Sequence, residues 1–224
     1  MMKKLIALVL SVVMMTALSS CGTKKADPQG SSAPEQTQEA ASPSPTAEEQ
    51  VDEAKLYADP ISVTIELENG GVMKGEIYPN LAPETVKNFV KLAKDKFYDG
   101  LIFHRVIDGF MIQGGGYDKD MNPKESTAIK GEFTQNGFNN PLKHTKGVLS
   151  MARTNDPDSA SSQFFIMQED APHLDGQYAA FGRITEGLEY IDEIATAKTG
   201  TDPKYGMSDC PVDPIIIKTI SVGK

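Results

Sequence analysis

A clean alternation of apolar and polar residues begins at Ile61, where Ile61, Val63, Ile65 and Leu67 are separated by Ser62, Thr64 and Glu66. That is the period-two pattern of a strand with one buried face. Asn69-Gly70 follows as a tight-turn pair and a second strand runs through Ile77, so the segment reads as a β-hairpin. From Pro83 the period changes. Pro83 and Glu84 suit a first helical turn, Val86, Phe89, Val90 and Ala93 repeat on one face, and Lys94, Lys96 and Gly100 suit the end, which predicts an amphipathic helix. Short β-rich runs follow at residues 102–107, 147–152 and 163–167, then a second helix over about 188–197 and a last strand at 215–222. Many short strands with two helices predict a mainly β, α+β domain closed into a barrel.

The first fifty-six residues have a different character. Lys3 and Lys4 precede an apolar run over residues 5–18, too short to span a membrane, which needs about 20 residues. With the small residues before Cys21 it reads as an export signal over residues 1–20, an uncleaved anchor being the alternative. Residues 22–50 contain no Leu, Ile, Val, Met or aromatic side chain, so they cannot build a core and read as a tether, residues 21–56, spanning roughly 30 Å. Residues 57–224 are then the folded domain, long enough to bury roughly 70% of the surface its unfolded chain exposes.

Charge and cysteine usage narrow the function. The 22 basic and 31 acidic residues give a net charge of −9, against the clustered cations a nucleic-acid binder needs. Without Lys3 and Lys4 the balance is −11. Cys21 and Cys210 suit neither a disulfide framework nor a CxxC site, and Cys210 reads as an unpaired structural thiol. His104, His144 and His173 lack the spacing of a metal site, so no metal and no cofactor are expected. The Asn155-Asp156-Pro157-Asp158 stretch fails the calcium-loop spacing and reads as a solvated turn. No GxSxG occurs and no Ser/His/Asp arrangement is evident.

Two stretches carry the chemistry. Phe103-His104-Arg105-Val106-Ile107 sets an arginine inside an apolar strand, with His104 on the face opposite it, and Phe110, Met111 and Gln113 follow. Gly114-Gly115-Gly116 after Gln113 suggests a turn, and the absent GK[ST] excludes a phosphate-binding loop. In Ser162-Gln163-Phe164-Phe165-Ile166-Met167, strand periodicity puts Gln163, Phe165 and Met167 on one face and Phe164 and Ile166 on the other, one for a core and one for a groove. Each has a bland alternative: a surface ion-pair partner for Arg105 and ordinary core for the apolar residues.

From about Ile61 to the end the chain resembles the cyclophilin family of peptidyl-prolyl isomerases. The resemblance rests on Phe103-His104-Arg105-Val106-Ile107, Gly109-Phe110-Met111, Gln113-Gly114-Gly115, Gly147-Val148-Leu149-Ser150-Met151-Ala152, Ser162-Gln163-Phe164-Phe165-Ile166, Leu174-Asp175-Gly176 and Phe181-Gly182. It implies a closed eight-stranded antiparallel β-barrel capped by two α-helices, with the substrate groove outside. It assigns catalysis to Arg105, with Phe110 and Gln113 beside it. The proline pocket falls to Phe110, Met111, Phe165 and Leu174, peptide contacts to Gln113, Gln163, Ala152 and Arg153, and flanking positions to His173 and Tyr178. His173 stands where many members carry tryptophan, which implies weak cyclosporin binding, and Tyr178 where many carry histidine, which argues against a role for an imidazole beside the proline pocket. Leu18-Ser19-Ser20-Cys21 likewise resembles a lipobox, implying a lipidated Cys21 that anchors the chain to the extracytoplasmic side of the cell membrane. The leading expectation is a monomeric isomerase of Xaa-Pro segments in exported polypeptides. The rivals are a proline-binding module with little turnover and a solute-binding lipoprotein, of which the second does not fit a barrel.

Overall fold

The computed structural model describes Lys55 and residues 57–223. The expected signal segment, Cys21 and the tether apart from Lys55 lie outside the described residues. In chain order the elements are strands β1 (Ile61–Leu67) and β2 (Val72–Ile77), helix α1 (Pro83–Lys94), strands β3 (Leu101–Ile107), β4 (Met111–Asp118), β5 (Val148–Met151), β6 (Phe164–Met167) and β7 (Ala180–Glu186), helix α2 (Leu188–Ala195), the short pair β8 (Thr199–Gly200) and β9 (Cys210–Pro211), and β10 (Ile217–Val222). No helix among the described residues is long and apolar enough to cross a membrane.

Eight strands form one antiparallel sheet in the order β10, β1, β2, β7, β5, β6, β4, β3. Its two edges meet: Ile102 bridges Ile216, Gly100 N–H donates to Ile217 O at 2.9 Å and Phe103 N–H to Ile215 O at 3.0 Å. The result is a nearly closed eight-stranded barrel with two helices, so almost no sheet edge is left open. The β1–β2 hairpin turns at Gly70 (φ +92°), where Asn69 Oδ1 accepts the Gly71 N–H at 3.0 Å.

The interior is filled by rings. Phe89 from α1 packs against Phe181 at 5.1 Å and Phe164 at 5.7 Å between centroids, with Tyr98 and Phe103 beside them. Helix α1 begins at Pro83 without a capping side chain of its own. Instead the buried Glu132 carboxylate accepts the N–H groups of Glu84 and Thr85, at 3.0 and 2.8 Å, and meets the positive end of the helix dipole. Helix α2 buries Ile191, Ile194 and Ala195 in the same interior cluster. On β6, Phe164 and Ile166 face this core while Phe165 and Met167 join a second cluster with Met111, Leu174 and Ala180, as the alternation predicts.

Three features depart from the sequence pattern, each for a local reason. Strand β7 was not expected, because Gly182 interrupts its apolar pattern. A Cβ there would come within 2.5 Å of Glu76 O, and one at Gly75 within 2.0 Å of Arg183 O, so two glycines allow β2 and β7 to lie close. Gly114, Gly115 and Gly116 belong to strand β4 rather than a turn. Gly116 is bare because Gln163 lies over it, its Nε2 within 2.5 Å of where a Cβ would sit. Last, β3 carries a bulge between the Phe103–Gly114 and Arg105–Gln113 pairs. Phe103 and Val106 both enter the core, and His104 and Arg105 stand consecutively on the outside rather than on opposite faces.

Candidate active site

A cavity of about 160 Å³ opens on the outer face of the barrel where β3, β4 and β6 lie side by side. Met111 and Phe165, from neighbouring strands, and Leu174, from the one-turn helix Pro172–Leu174, form its buried apolar wall. Phe110 from the β3–β4 turn, Ala152 beyond β5, and Tyr178, whose ring meets Phe165 edge-on at 5.7 Å, complete it. Three polar side chains face the same space: Arg105, Gln113 and Arg153. Nine of the residues assigned by resemblance therefore line one cavity.

Two more touch it from the edge. Gln163 Oε1 accepts a hydrogen bond from Gln113 Nε2 at 3.0 Å, which fixes the direction of the Gln113 amide. His173 is exposed and stacks on Phe110, centroids 5.8 Å apart and planes 27° apart, so it forms the rim rather than the wall. Cys21 lies outside the described residues.

The polar groups are held in distinct ways. The Arg105 side chain is 41% exposed and its Nε lies 3.7 Å from Asp209 Oδ2. Asp209 sits in the left-handed region (φ +62°), and its carbonyl accepts the Val106 N–H at 2.8 Å, which ties the loop before β9 to β3. Arg153 Nε and Nη2 donate to Gln177 O at 3.1 and 2.9 Å, and Nη1 to Thr154 O at 2.8 Å. Its guanidinium lies 4.6 Å from the Tyr178 ring centroid and 5.0 Å from that of Phe133. His104, buried beside Arg105, has its pKa pushed down to about 4 by burial first and by the Arg105 charge in addition.

Behind Phe165 lies an arrangement the sequence did not reveal. His144 Nε2 and Ser150 Oγ are 3.0 Å apart, His144 Nδ1 and Asp175 Oδ1 3.1 Å, and Asp175 Oδ1 also accepts the His144 N–H at 2.8 Å. This has the order of a Ser-His-Asp triad, but Ser150 is 0% and His144 1% exposed, so no substrate reaches the hydroxyl. Its visible product is mechanical, since the His144 ring stacks on Phe165 at 6.0 Å and 18°. Burial lowers the His144 pKa even against the pull of Asp175, which favours the neutral ring. Asp209 was missed for a similar reason: it comes from a loop a hundred residues beyond Arg105, and no spacing announces it.

Elsewhere, Cys210 is buried and unpaired, and burial pushes its thiol pKa up. Asp158, in the turn expected to be merely solvated, accepts hydrogen bonds from Gly131 N–H at 2.9 Å and Asn136 Nδ2 at 2.7 Å and so ties two loops together.

The arrangement joins a small pocket with an apolar wall to a guanidinium at its mouth and an oriented amide beside it. Residues 62–222 match the family model described as cyclophilin type peptidyl-prolyl cis-trans isomerase/CLD. A peptidyl-prolyl cis-trans isomerase of Acinetobacter baylyi is 44% identical over 161 residues, covering 69% of this chain and 81% of that protein. The peptidyl-prolyl cis-trans isomerase B of Bacillus subtilis is 47% identical over 129 residues, 58% of this chain and 87% of that one. Among solved structures, a Cryptosporidium parvum cyclophilin type peptidyl-prolyl cis-trans isomerase in the presence of the dipeptide Ala-Pro superposes with a TM-score of 0.61 at 31% identity, over 73% of this chain and 99% of that one.

Proposed function

The chain belongs to the cyclophilin-type peptidyl-prolyl cis-trans isomerases, and from that premise we propose that it turns Xaa-Pro bonds through Arg105, in exported polypeptides, from a lipid anchor at Cys21. The observation that carries the mechanism is the placing of Arg105 and the oriented Gln113 at the mouth of the cavity walled by Phe110, Met111, Phe165 and Leu174.

Amide resonance sets a barrier of roughly 18–20 kcal/mol, and an Xaa-Pro bond left alone takes tens to hundreds of seconds to turn. No bond is broken, so neither base nor nucleophile is needed. When the amide twists, its nitrogen loses conjugation and regains a lone pair. A guanidinium, always charged, donates to that lone pair, an interaction stronger in the twisted than in the planar state. Asp209 lies on the Nε side of Arg105, and no hydrogen bond among the described residues takes up the Nη groups, which leaves them for the substrate. The apolar wall holds the ring and keeps out the water that would weaken the bond. Gln113, steadied by Gln163, and the backbone at Ala152 and Arg153 bind the flanking chain.

The test is the cis/trans exchange rate of an Xaa-Pro peptide. Arg105→Ala is expected to lower kcat/KM by about one to three powers of ten, roughly 1.4–4 kcal/mol, with the fold intact. Full activity in that variant would remove the mechanism.

The anchor rests on Leu18-Ser19-Ser20-Cys21 after a short basic and apolar segment, followed by a stretch unable to form a core. Two or more acyl chains hold a protein stably where one does not. Mass spectrometry of the protein from membranes is expected to find an acylated N-terminal Cys21, and an unlipidated terminus elsewhere would refute it.

A further inference from the structure

Two guanidiniums and no carboxylate line the cavity, on a chain whose net charge is −9. The two cations are not equivalent. Arg105 has Asp209 beside it, 3.7 Å away, whereas Arg153 pairs with no carboxylate among the described residues. Two backbone carbonyls and two aromatic rings hold Arg153, and three of its five N–H donors are used in doing so. Two donors and a full positive charge remain, fixed in place at the edge of the pocket. Carbonyl dipoles and ring faces steady a cation, but they do not neutralise it.

We propose that Arg153 makes this site select proline segments that carry a carboxylate side chain within two residues of the proline. The inference rests on the reading of this cavity as the proline site. An extended chain rises about 3.3 Å per residue, so side chains one or two positions from the ring pass the rim of so small a cavity. A guanidinium offers a carboxylate a forked, charge-assisted partner. Because packing already holds this one, little side-chain freedom is lost when the substrate pairs with it. A lysine or arginine in the same place would face two like charges, Arg153 and Arg105, across a small pocket.

The experiment uses the full chain and alanine-based proline peptides carrying Glu, Gln or Lys singly at each of the two positions before and two after the proline. In at least one position Glu is expected to raise kcat/KM about tenfold over Gln, about 1.4 kcal/mol, with Lys below both. The preference should shrink in about 0.5 M salt, where surface charge is screened within a few ångströms. Arg153→Gln should abolish it and Arg153→Lys should restore part of it. Rates equal within about twofold for all three side chains at all four positions would overturn the proposal, and so would a Glu preference that survives Arg153→Gln. The Glu, Gln and Lys series on the unmodified chain keeps the proposal open to refutation even if a variant fails to fold. The all-alanine peptide separates the premises: no acceleration of it counts against the cavity as the proline site, whereas normal acceleration without a Glu preference counts against Arg153 alone.

Discussion

His104→Gln tests the electrostatics beside Arg105. His104 is 3% exposed and its folded pKa of about 4 lies below the ordinary 6.5, chiefly because burial penalises the imidazolium. The unfolded chain therefore binds a proton between about pH 6.5 and 4 that the folded chain refuses. Stability must fall as pH falls through that window, in full by pH 4. At about 1.4 kcal/mol per unit the whole effect is about 3 kcal/mol, of which about 2 kcal/mol has been lost by pH 5. For a domain of this size that is a drop in Tm of about 4–8 °C between pH 7.5 and 5. His144, also lowered by burial, acts in the same direction, so the difference between parent and variant isolates His104. Asp118, Asp158 and Asp175 have pKa values below 3.8, so their contribution is lost only at more acid pH. The chain has no tryptophan, so thermal melts by far-ultraviolet circular dichroism are the natural assay. His104→Gln should flatten the pH dependence. Curves for parent and variant that run parallel from pH 7.5 to 5 would refute the reasoning.

Two further outcomes are expected. Glu132→Gln leaves one oxygen to face the two N–H groups at the start of α1 and sets an amide NH₂ against the other, so denaturant unfolding should show a loss of about 2–4 kcal/mol; a loss below about 1 kcal/mol would contradict the capping role. At the rim, where His173 stacks on Phe110, the unmodified protein should be weakly inhibited by cyclosporin while keeping its activity, and His173→Trp should tighten inhibition by about 1–3 kcal/mol in an inhibitor titration; nanomolar inhibition of the parent, or no change in the variant, would mean that His173 does not meet the inhibitor.

How far the sequence could be read depended on how local the cause was. The β1–β2 hairpin, α1 and the two faces of β6 follow from side-chain period alone, and they appear where the pattern put them. β7 and the glycine stretch of β4 were hidden because their residues are chosen for the close approach of another backbone or of Gln163, which a period does not encode. The bulge in β3 escaped for a related reason: one extra residue turned His104 to the side of Arg105 and reversed the expected facing. Of the site, the residues in contiguous blocks were legible. Asp209 comes from a distant loop, and the set behind Phe165 joins Ser150 of β5 to His144 and Asp175 of two loops, so these groups meet only in three dimensions.

A barrel packed solid with rings has no lumen to lend to a ligand, so binding must occur on a wall. Phe164 and Phe165 divide the labour accordingly: adjacent in the chain, one belongs to the plug that keeps the barrel standing and the other to the wall of the outer cavity, the surface proposed to meet the client. On that reading catalysis and architecture share the same strands and, apart from the bulge in β3, fall on alternate residues. Such interleaving lets a substitution at an outer position leave the inner packing in place. It also limits what a client can be. A pocket that admits one ring on an outer wall can work only on a proline that is presented outward, in a chain not yet folded around it or in a loop that stands clear of the rest.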